Sequence, residues 1–359
     1  MKNYACSHCG NTVYFENVKC VKCKNTLGFD PGELAIVAIE ETGLSEVTPE
    51  APIFRKLSST PHDVPMRFCS NAEFGVCNWL TPETESNVFC KACDLNRLIP
   101  NLSEPGSLPA WRALEHAKKR LVYSLIRFGL PFDGRASAKG PLTFDFVRNA
   151  LTGHLDGVVT IDVSEADAVE RERQRQHFDE PYRSLLGHLR HESGHYYWMV
   201  LVEEAGRLDA FRALFGDERE DYDAALARHH NAGPAPDWQK HHVSAYASAH
   251  PWEDWAETWA HYLHMVDALD TAAAEGMEGH GLRLDLRDDI YSSVTFDALM
   301  ARWVPLTIAM NSLSRSMGHD DFYPFVISGA AYDKLAFVHR VIHERVEQPA
   351  PRAAAEAKV

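Results

Sequence analysis

Two rhythms of apolar residues divide this chain, one with three- and four-residue steps and one with two-residue steps. Trp111, Leu114, Ala117, Leu121, Leu125 and Leu130 trace a helical stripe. Ser107 or a neighbour can cap that helix, Pro109 suits its first turn, and Gly129 ends it. A second stripe, Leu185, Leu186, Leu189, Trp198, Leu201 and Val202, lies in a run over 182–206 that contains no proline. A third starts at Pro251 and runs through Trp252, Trp255, Ala256, Trp259, Ala260, Leu263 and Val266. Further helices are predicted over 295–310 and from Tyr323-Pro324-Phe325 through His343, as scaffold packed on the others. The segments AIVAIEE and PIFRKLS read as short strands about a polar turn at 45–52, while PLTFDFV and GVVTIDV alternate as strands of a small sheet. Residues 165–176 read as a charged, solvated helix or connection, and 207–243 as a long segment covering the cleft between the helices. The expected architecture is α+β: a small β-rich region over 1–100, a mainly helical domain with a small sheet over 101–345, and a disordered Pro/Ala-rich tail over 346–359.

Charge and cysteine usage narrow the chemistry. The 359 residues carry a net charge of −15, from 51 acidic against 36 basic residues, which argues against duplex nucleic acid as a partner. Lys19, Lys22 and Lys24 form only a small basic spot, the one feature that favours a nucleic-acid-binding ribbon. No apolar stretch reaches the ~18 residues of a membrane span. The start MKNYACSHCG lacks the apolar core of a signal peptide, so a cytoplasmic location is expected. In a reducing compartment the eight cysteines are expected to hold metal rather than to form disulfides. Cys6, Cys9, Cys20 and Cys23 form two C-x-x-C pairs with ten residues between them, and Thr12, Val13, Tyr14 and Phe15 look like a strand of the connecting hairpin. Each pair presents two thiolates on the same side, and together they complete a tetrahedron, the pattern of zinc-ribbon and rubredoxin knuckles. Zinc is the default occupant of such a site, although iron fits the same ligands. Cys69, Cys77, Cys90 and Cys93 contain one proper C-x-x-C and favour a second four-thiolate zinc. Alternatively, one or two of these are simply small buried residues; His8 and His62 are available as substitute ligands but are not needed. With little apolar material of its own, the front region is expected to depend on its metals to fold and to serve recognition, docking or as a lid.

The second helical run contains His191-Glu192-Ser193-Gly194-His195, an H-E-x-x-H pattern. Positions i and i+4 share one helix face, so His191 and His195 can reach a single metal, with Glu192 beside them to hold and deprotonate water. A core helix with incidental histidines is the plain alternative. Gly194, between the ligands, allows another backbone or a substrate to approach closely. In the third run Glu253 and Glu257 interrupt an aromatic stripe, four residues apart on one face, where unpaired acids are costly. Glu253 is assigned as the third ligand and Glu257 as the carboxylate that orients a ligand imidazole, with the reverse assignment still open. His250, His261 and His264 are rival ligands.

The segment from Tyr246 to Ala256, Tyr-Ala-Ser-Ala-His-Pro-Trp-Glu-Asp-Trp-Ala, resembles the Tyr-Ala-x-x-Asn-Pro-x-Glu-Phe-Phe-Ala segment of the Mlc titration factor A peptidases. The anthrax lethal factor catalytic domain is similar. The resemblance implies Glu253 as zinc ligand, Tyr246 as a phenol over the metal that hydrogen-bonds an oxyanion, and Glu257 behind the ligands in the gluzincin manner. His250 stands in place of Asn, and Asp254 and Trp255 in place of the two Phe. Taken over most of its length, the chain resembles the bacterial zinc-binding metallopeptidases with an amino-terminal zinc ribbon. That implies a zincin-like domain with one catalytic and two structural zincs, acting on a peptide or protein substrate. Glu192 would take a proton from water, with Tyr246, aided by His250, stabilising the oxyanion. By analogy of fold, a sheet edge beside the helix would bind an extended substrate. The competing expectation is a catalytically silent zinc-ribbon protein that binds peptides as an adaptor.

Overall fold

The computed structural model describes residues 2–48, 51–58, 60, 63–134, 137–169, 171, 173, 184–277, 289–292 and 294–347. His62, residues 170, 172 and 174–176 of the charged segment, and nearly all of the tail expected to be disordered lie outside them. The order of elements is β1 (Tyr4–Ala5), β2 (Thr12–Val13), β3 (Thr26–Asp30), β4 (Ala35–Leu44), β5 (Pro52–Lys56), β6 (Met66–Phe68), β7 (Leu80–Pro82) and β8 (Asn96–Leu98). Then follow α1 (Ser107–Arg127), β9 (Thr143–Val147), β10 (Gly153–Leu155) and β11 (Val158–Asp162). The helices α2 (Leu185–Trp198), α3 (Leu208–Phe215), α4 (Tyr222–Ala232), α5 (Pro251–Ala274), α6 (Phe296–Ser316) and α7 (Gly329–Glu347) complete the chain. A strand-rich front and a mainly helical remainder make this an α+β fold.

Strands β3 to β7 build an antiparallel five-stranded sheet in sequence order, and β1 pairs with β2 as a separate two-stranded ribbon. The second sheet has the order β10-β11-β9-β8, with β9 parallel to both neighbours and β10 antiparallel on the edge. Strand β8, which directly follows the last cysteine pair, therefore belongs to the sheet of the helical part.

The front region also shares its core with that part. Phe15, Phe29 and Trp79 pack with Tyr123 of α1 in one continuous apolar cluster. Lys119 of α1 donates to the Val76 carbonyl at 2.7 Å, and Arg112 donates to that of Gly75 at 2.9 Å. The expected shortage of apolar material is thus corrected, because the helix supplies one side of the core. Tyr14 and Phe15 fall in a turn after β2, and this turn sends the Phe15 ring inward. Helix α1 begins after Gly106 at φ 80°, with Ser107 buried in its first turn rather than capping it by its side chain. Tyr323-Pro324-Phe325 is not helical, since proline disfavours helical geometry in the residue before it, and α7 starts only at Gly329.

Helices α2 and α5 lie against each other at the centre. Ser184 caps α2, accepting from the Gly187 N–H at 3.0 Å. A Cβ on Gly194 would meet the Ala256 Cα at 3.0 Å and Trp259 at 3.1 Å, so the missing side chain is what lets the two helices approach. Trp255 donates to the Gly194 carbonyl at 2.8 Å, Trp259 to the Ser193 hydroxyl at 3.2 Å, and buried Arg190 pairs with Asp267 at 2.5 Å. These bonds fix the rotation of one helix on the other. No helix among the described residues is long and apolar enough to cross a membrane.

Candidate metal centre and cleft

Helical spacing puts His191 and His195 on one face of α2, and the close contact at Gly194 brings Glu253 of α5 to them. One ligand atom from each lies within 4.8 Å of the others. Glu253 Oε2 is 3.0 Å from His191 Nε2, and Oε1 is 3.6 Å from His195 Nε2. Ligand bonds of ~2.0–2.1 Å in a tetrahedron would put donor atoms ~3.3 Å apart, close to the 3.0 Å between Glu253 Oε2 and His191 Nε2. His191 Nδ1 lies 2.7 Å from Glu257 Oε1, and the other Glu257 oxygen accepts from Ser244 at 2.6 Å. If Nδ1 carries the proton toward Glu257, the lone pair of Nε2 faces a carboxylate oxygen, so a proton or a metal cation must lie between them. Glu253 Oε2 has no hydrogen-bond donor although it is buried. These residues fit a zinc ion, with Glu257 bonded to the far ring nitrogen of His191.

The electrostatics follow from burial opposed by neighbours. Burial raises the Glu253 carboxyl, but His195 and His191 outweigh it and hold the group at about 2. Burial lowers His191, whereas Glu253 and Glu257 push it well above its ordinary value, so metal must displace a proton here. Glu192 keeps one buried oxygen without a partner, and its other oxygen is 3.4 Å from His188 Nε2. His188 Nδ1 lies 2.5 Å from Glu165 Oε2. Burial disfavours the charge on His188, yet Glu165 and Glu192 raise it to about 9. Glu165 is itself buried, contrary to the solvated face expected for its segment, with Thr152 bonded to one of its oxygens and His188 of α2 to the other.

A cleft of about 1410 Å³ opens onto this cluster. Its walls include Gly153 and His154 of the edge strand β10, Tyr246, Leu226 and His229 of α4, and Phe325. The 207–243 segment does line the cleft, as expected. The 323–326 loop, expected to be scaffold helix, lines it as well. Tyr246 sits on a short turn with its ring centre 6.0 Å from that of His191. His250 is placed differently from the sequence reading. Its Nδ1 accepts from the Trp252 N–H at 3.1 Å, capping α5, and its Nε2 is 3.1 Å from the Glu220 carbonyl. Both ring nitrogens are thus engaged away from the cleft, and none is left to donate to an oxyanion. His261 bonds to Tyr323 at 2.7 Å and His264 to buried Arg190 at 2.5 Å, so both are tied into packing. Tyr222 is a contact the sequence did not reveal: its hydroxyl donates to Glu253 Oε1 at 2.6 Å. Burial, then the Glu253 charge, push its phenol upward and keep it protonated as a donor.

The cysteines converge into two further clusters, Cys6, Cys9, Cys20, Cys23 and Cys69, Cys77, Cys90, Cys93, each with its sulfurs within 4.8 Å. Sulfur pairs lie at 3.8 Å (Cys6 and Cys23), 3.6 Å (Cys9 and Cys20) and 3.7 Å (Cys77 and Cys90). These are far too long for the ~2.05 Å of a disulfide. They match the ~3.8 Å edge of a tetrahedron with Zn–S bonds of ~2.3 Å. The second cluster is wholly buried, while Cys9 and Cys23 of the first are half-buried.

A protein-family model for a zinc-ribbon domain matches residues 3–104, and a model described as "Putative zinc-binding metallo-peptidase" matches residues 107–341. The chain belongs to this zinc-binding metallopeptidase family and carries its zinc ribbon in front. An uncharacterized protein of Mycobacterium bovis and two of Mycobacterium tuberculosis strains are each 39% identical to it over 350 residues, covering 96% of this chain and 96% of theirs. No solved structure matches it.

Proposed function

We propose that the chain hydrolyses peptide bonds of a peptide or protein substrate in the cleft that opens onto α2 and α5, using one zinc held by His191, His195 and Glu253. The observation that carries this reading is the pairing of two features: lone pairs that converge on a cation position, and the free buried oxygen of Glu192 beside them. Zinc, when bound, supplies Lewis acidity that polarises the scissile carbonyl and makes water acidic enough to lose a proton near neutral pH. Glu192 accepts that proton as the hydroxide oxygen bonds to the carbonyl carbon, and delivers it to the amine nitrogen as the C–N bond breaks. His188, held by Glu165, fixes one Glu192 oxygen and leaves the other for this transfer. The Tyr246 phenol donates to the developing oxyanion, and Glu257 keeps His191 in its ligating orientation. Two further zincs in the thiolate clusters are structural, and the ribbon that carries them serves recognition or regulation.

The test is turnover of a fluorogenic peptide library by zinc-loaded wild type and Glu192→Gln, with zinc content measured in both. Turnover by wild type, and a loss of ~10²–10⁴-fold in a variant that keeps its zinc, is expected. An active, fully metallated Glu192→Gln protein overturns the mechanism, and a wild type that binds peptides without cleaving them favours the adaptor.

A further inference from the structure

Tyr222 opens helix α4, and the structure sets that helix apart from its neighbours. Among the residues of α4 only Ala225 is buried. The segment is bounded by Gly216 at φ 102° and Gly233 at φ 76°, backbone states that glycine adopts without strain and that suit a hinge. Its inner face turns Tyr222, Leu226 and His229 toward the cleft, at helical spacing, and the His229 ring stands 5.9 Å from that of Tyr246. Tyr222 reaches furthest in, to Glu253.

Glu253 has two oxygens with different surroundings. Oε1 accepts the Tyr222 hydroxyl at 2.6 Å, whereas Oε2 has no donor and lies 3.0 Å from His191 Nε2. We propose that Tyr222 is a positioning residue that makes Glu253 a one-oxygen metal ligand, and that α4 closes over the cleft as that ligand set is completed. This inference rests on the metal-site reading above. With Oε1 taken by the phenol, Glu253 offers Oε2 alone, and a coordination position stays open for water and substrate. When α4 lifts, a buried carboxylate loses its donor and the site loosens. Linkage then runs both ways: a metal that fixes Glu253 favours the closed helix by the same free energy with which the closed helix favours the metal.

The experiment uses the full-length protein with its thiolate zincs in place. Zinc affinity of the remaining site is measured by chelator competition for wild type, Tyr222→Phe and Arg228→Ala. The last alters an exposed residue of the same helix that bonds to Glu220 at 2.7 Å, away from Glu253. In parallel, proteolysis within 217–233 is timed with and without zinc in that site. Tyr222→Phe is expected to bind zinc ~10–100-fold more weakly. Zinc is expected to slow cleavage of the segment in wild type and Arg228→Ala, and not in Tyr222→Phe. Wild-type affinity together with unchanged zinc protection in Tyr222→Phe overturns the proposal and leaves the metal site standing. Weaker zinc binding with protection intact overturns the coupling to α4. A wild type that takes up no zinc at this site overturns both the proposal and the reading on which it rests.

Discussion

Gly194→Ala tests whether the approach of α2 to α5 builds the site. The added Cβ would lie 3.0 Å from the Ala256 Cα and 3.1 and 3.3 Å from Trp259. Comfortable carbon contacts need ~3.5–4.0 Å, so the helices must separate by ~0.5 Å or the indole must move. The indole is held by its bond to Ser193 and the other neighbour is backbone, which leaves separation. Overpacking of this kind costs ~1–3 kcal/mol, and replacing glycine within a helix returns ~1 kcal/mol. The net is a destabilisation of ~1 kcal/mol, seen as a fall in Tm of ~2–4 °C. Ligand distances tolerate only ~0.2 Å, so zinc affinity at the His191, His195 and Glu253 site should fall at least tenfold, a larger relative effect than that on stability. Thermal unfolding and chelator competition measure the two quantities. Gly329→Ala, with nothing within 4 Å of the new Cβ, is the control that should leave zinc affinity unchanged. A Gly194→Ala protein more stable than wild type, with unchanged zinc affinity, would refute the reasoning.

Two other outcomes follow from the same contacts. His188→Gln should keep zinc but lower peptide turnover ~10-fold or more, because it removes the cation between Glu165 and Glu192; equal turnover in both proteins argues against that role. In the metal-free protein this imidazole is raised to about 9, above its unfolded value of ~6.5, so its stabilisation is complete below pH ~6.5 and is lost as pH rises through 9. A wild-type stability curve that lacks this alkaline loss, relative to His188→Gln, would count against it. Stripping zinc from the thiolate clusters should unfold the front sheet and destabilise α1 with it, since structural zinc contributes ~10 kcal/mol or more and the core is shared. Circular dichroism that shows full helix content and unchanged Tm after chelation would contradict this.

What the sequence revealed was what neighbouring positions on one element determine. The i, i+4 spacing of His191 and His195, and of Glu253 and Glu257, places each pair on one helix face, and the structure brings both faces together. The cysteine knuckles converge for the same local reason. What stayed hidden depends on contacts between distant elements. Tyr222 lies in a polar stretch with no periodic signal, and only the fold carries its hydroxyl to Glu253. Glu165 looks like one acid among many in a charged run, yet it is buried and holds His188. The sequence alone suggests His250 as an aid to Tyr246 at the oxyanion, whereas its place just before Pro251 makes it a helix cap. The front core escaped notice because Tyr4, Phe15, Phe29 and Trp79 are scattered singly and meet only when Tyr123 of α1 closes over them.

The central claim is that α2 and α5 together hold a zinc distinct from the two thiolate clusters. Zinc counted by elemental analysis on purified wild type and on His195→Ala tests it most directly, after both proteins are exposed to zinc and desalted. The account predicts three zincs per chain in wild type and two in His195→Ala, one for each four-cysteine cluster remaining. Two zincs in both proteins would contradict it and would leave the H-E-x-x-H helix as a packed core element of a peptide-binding protein.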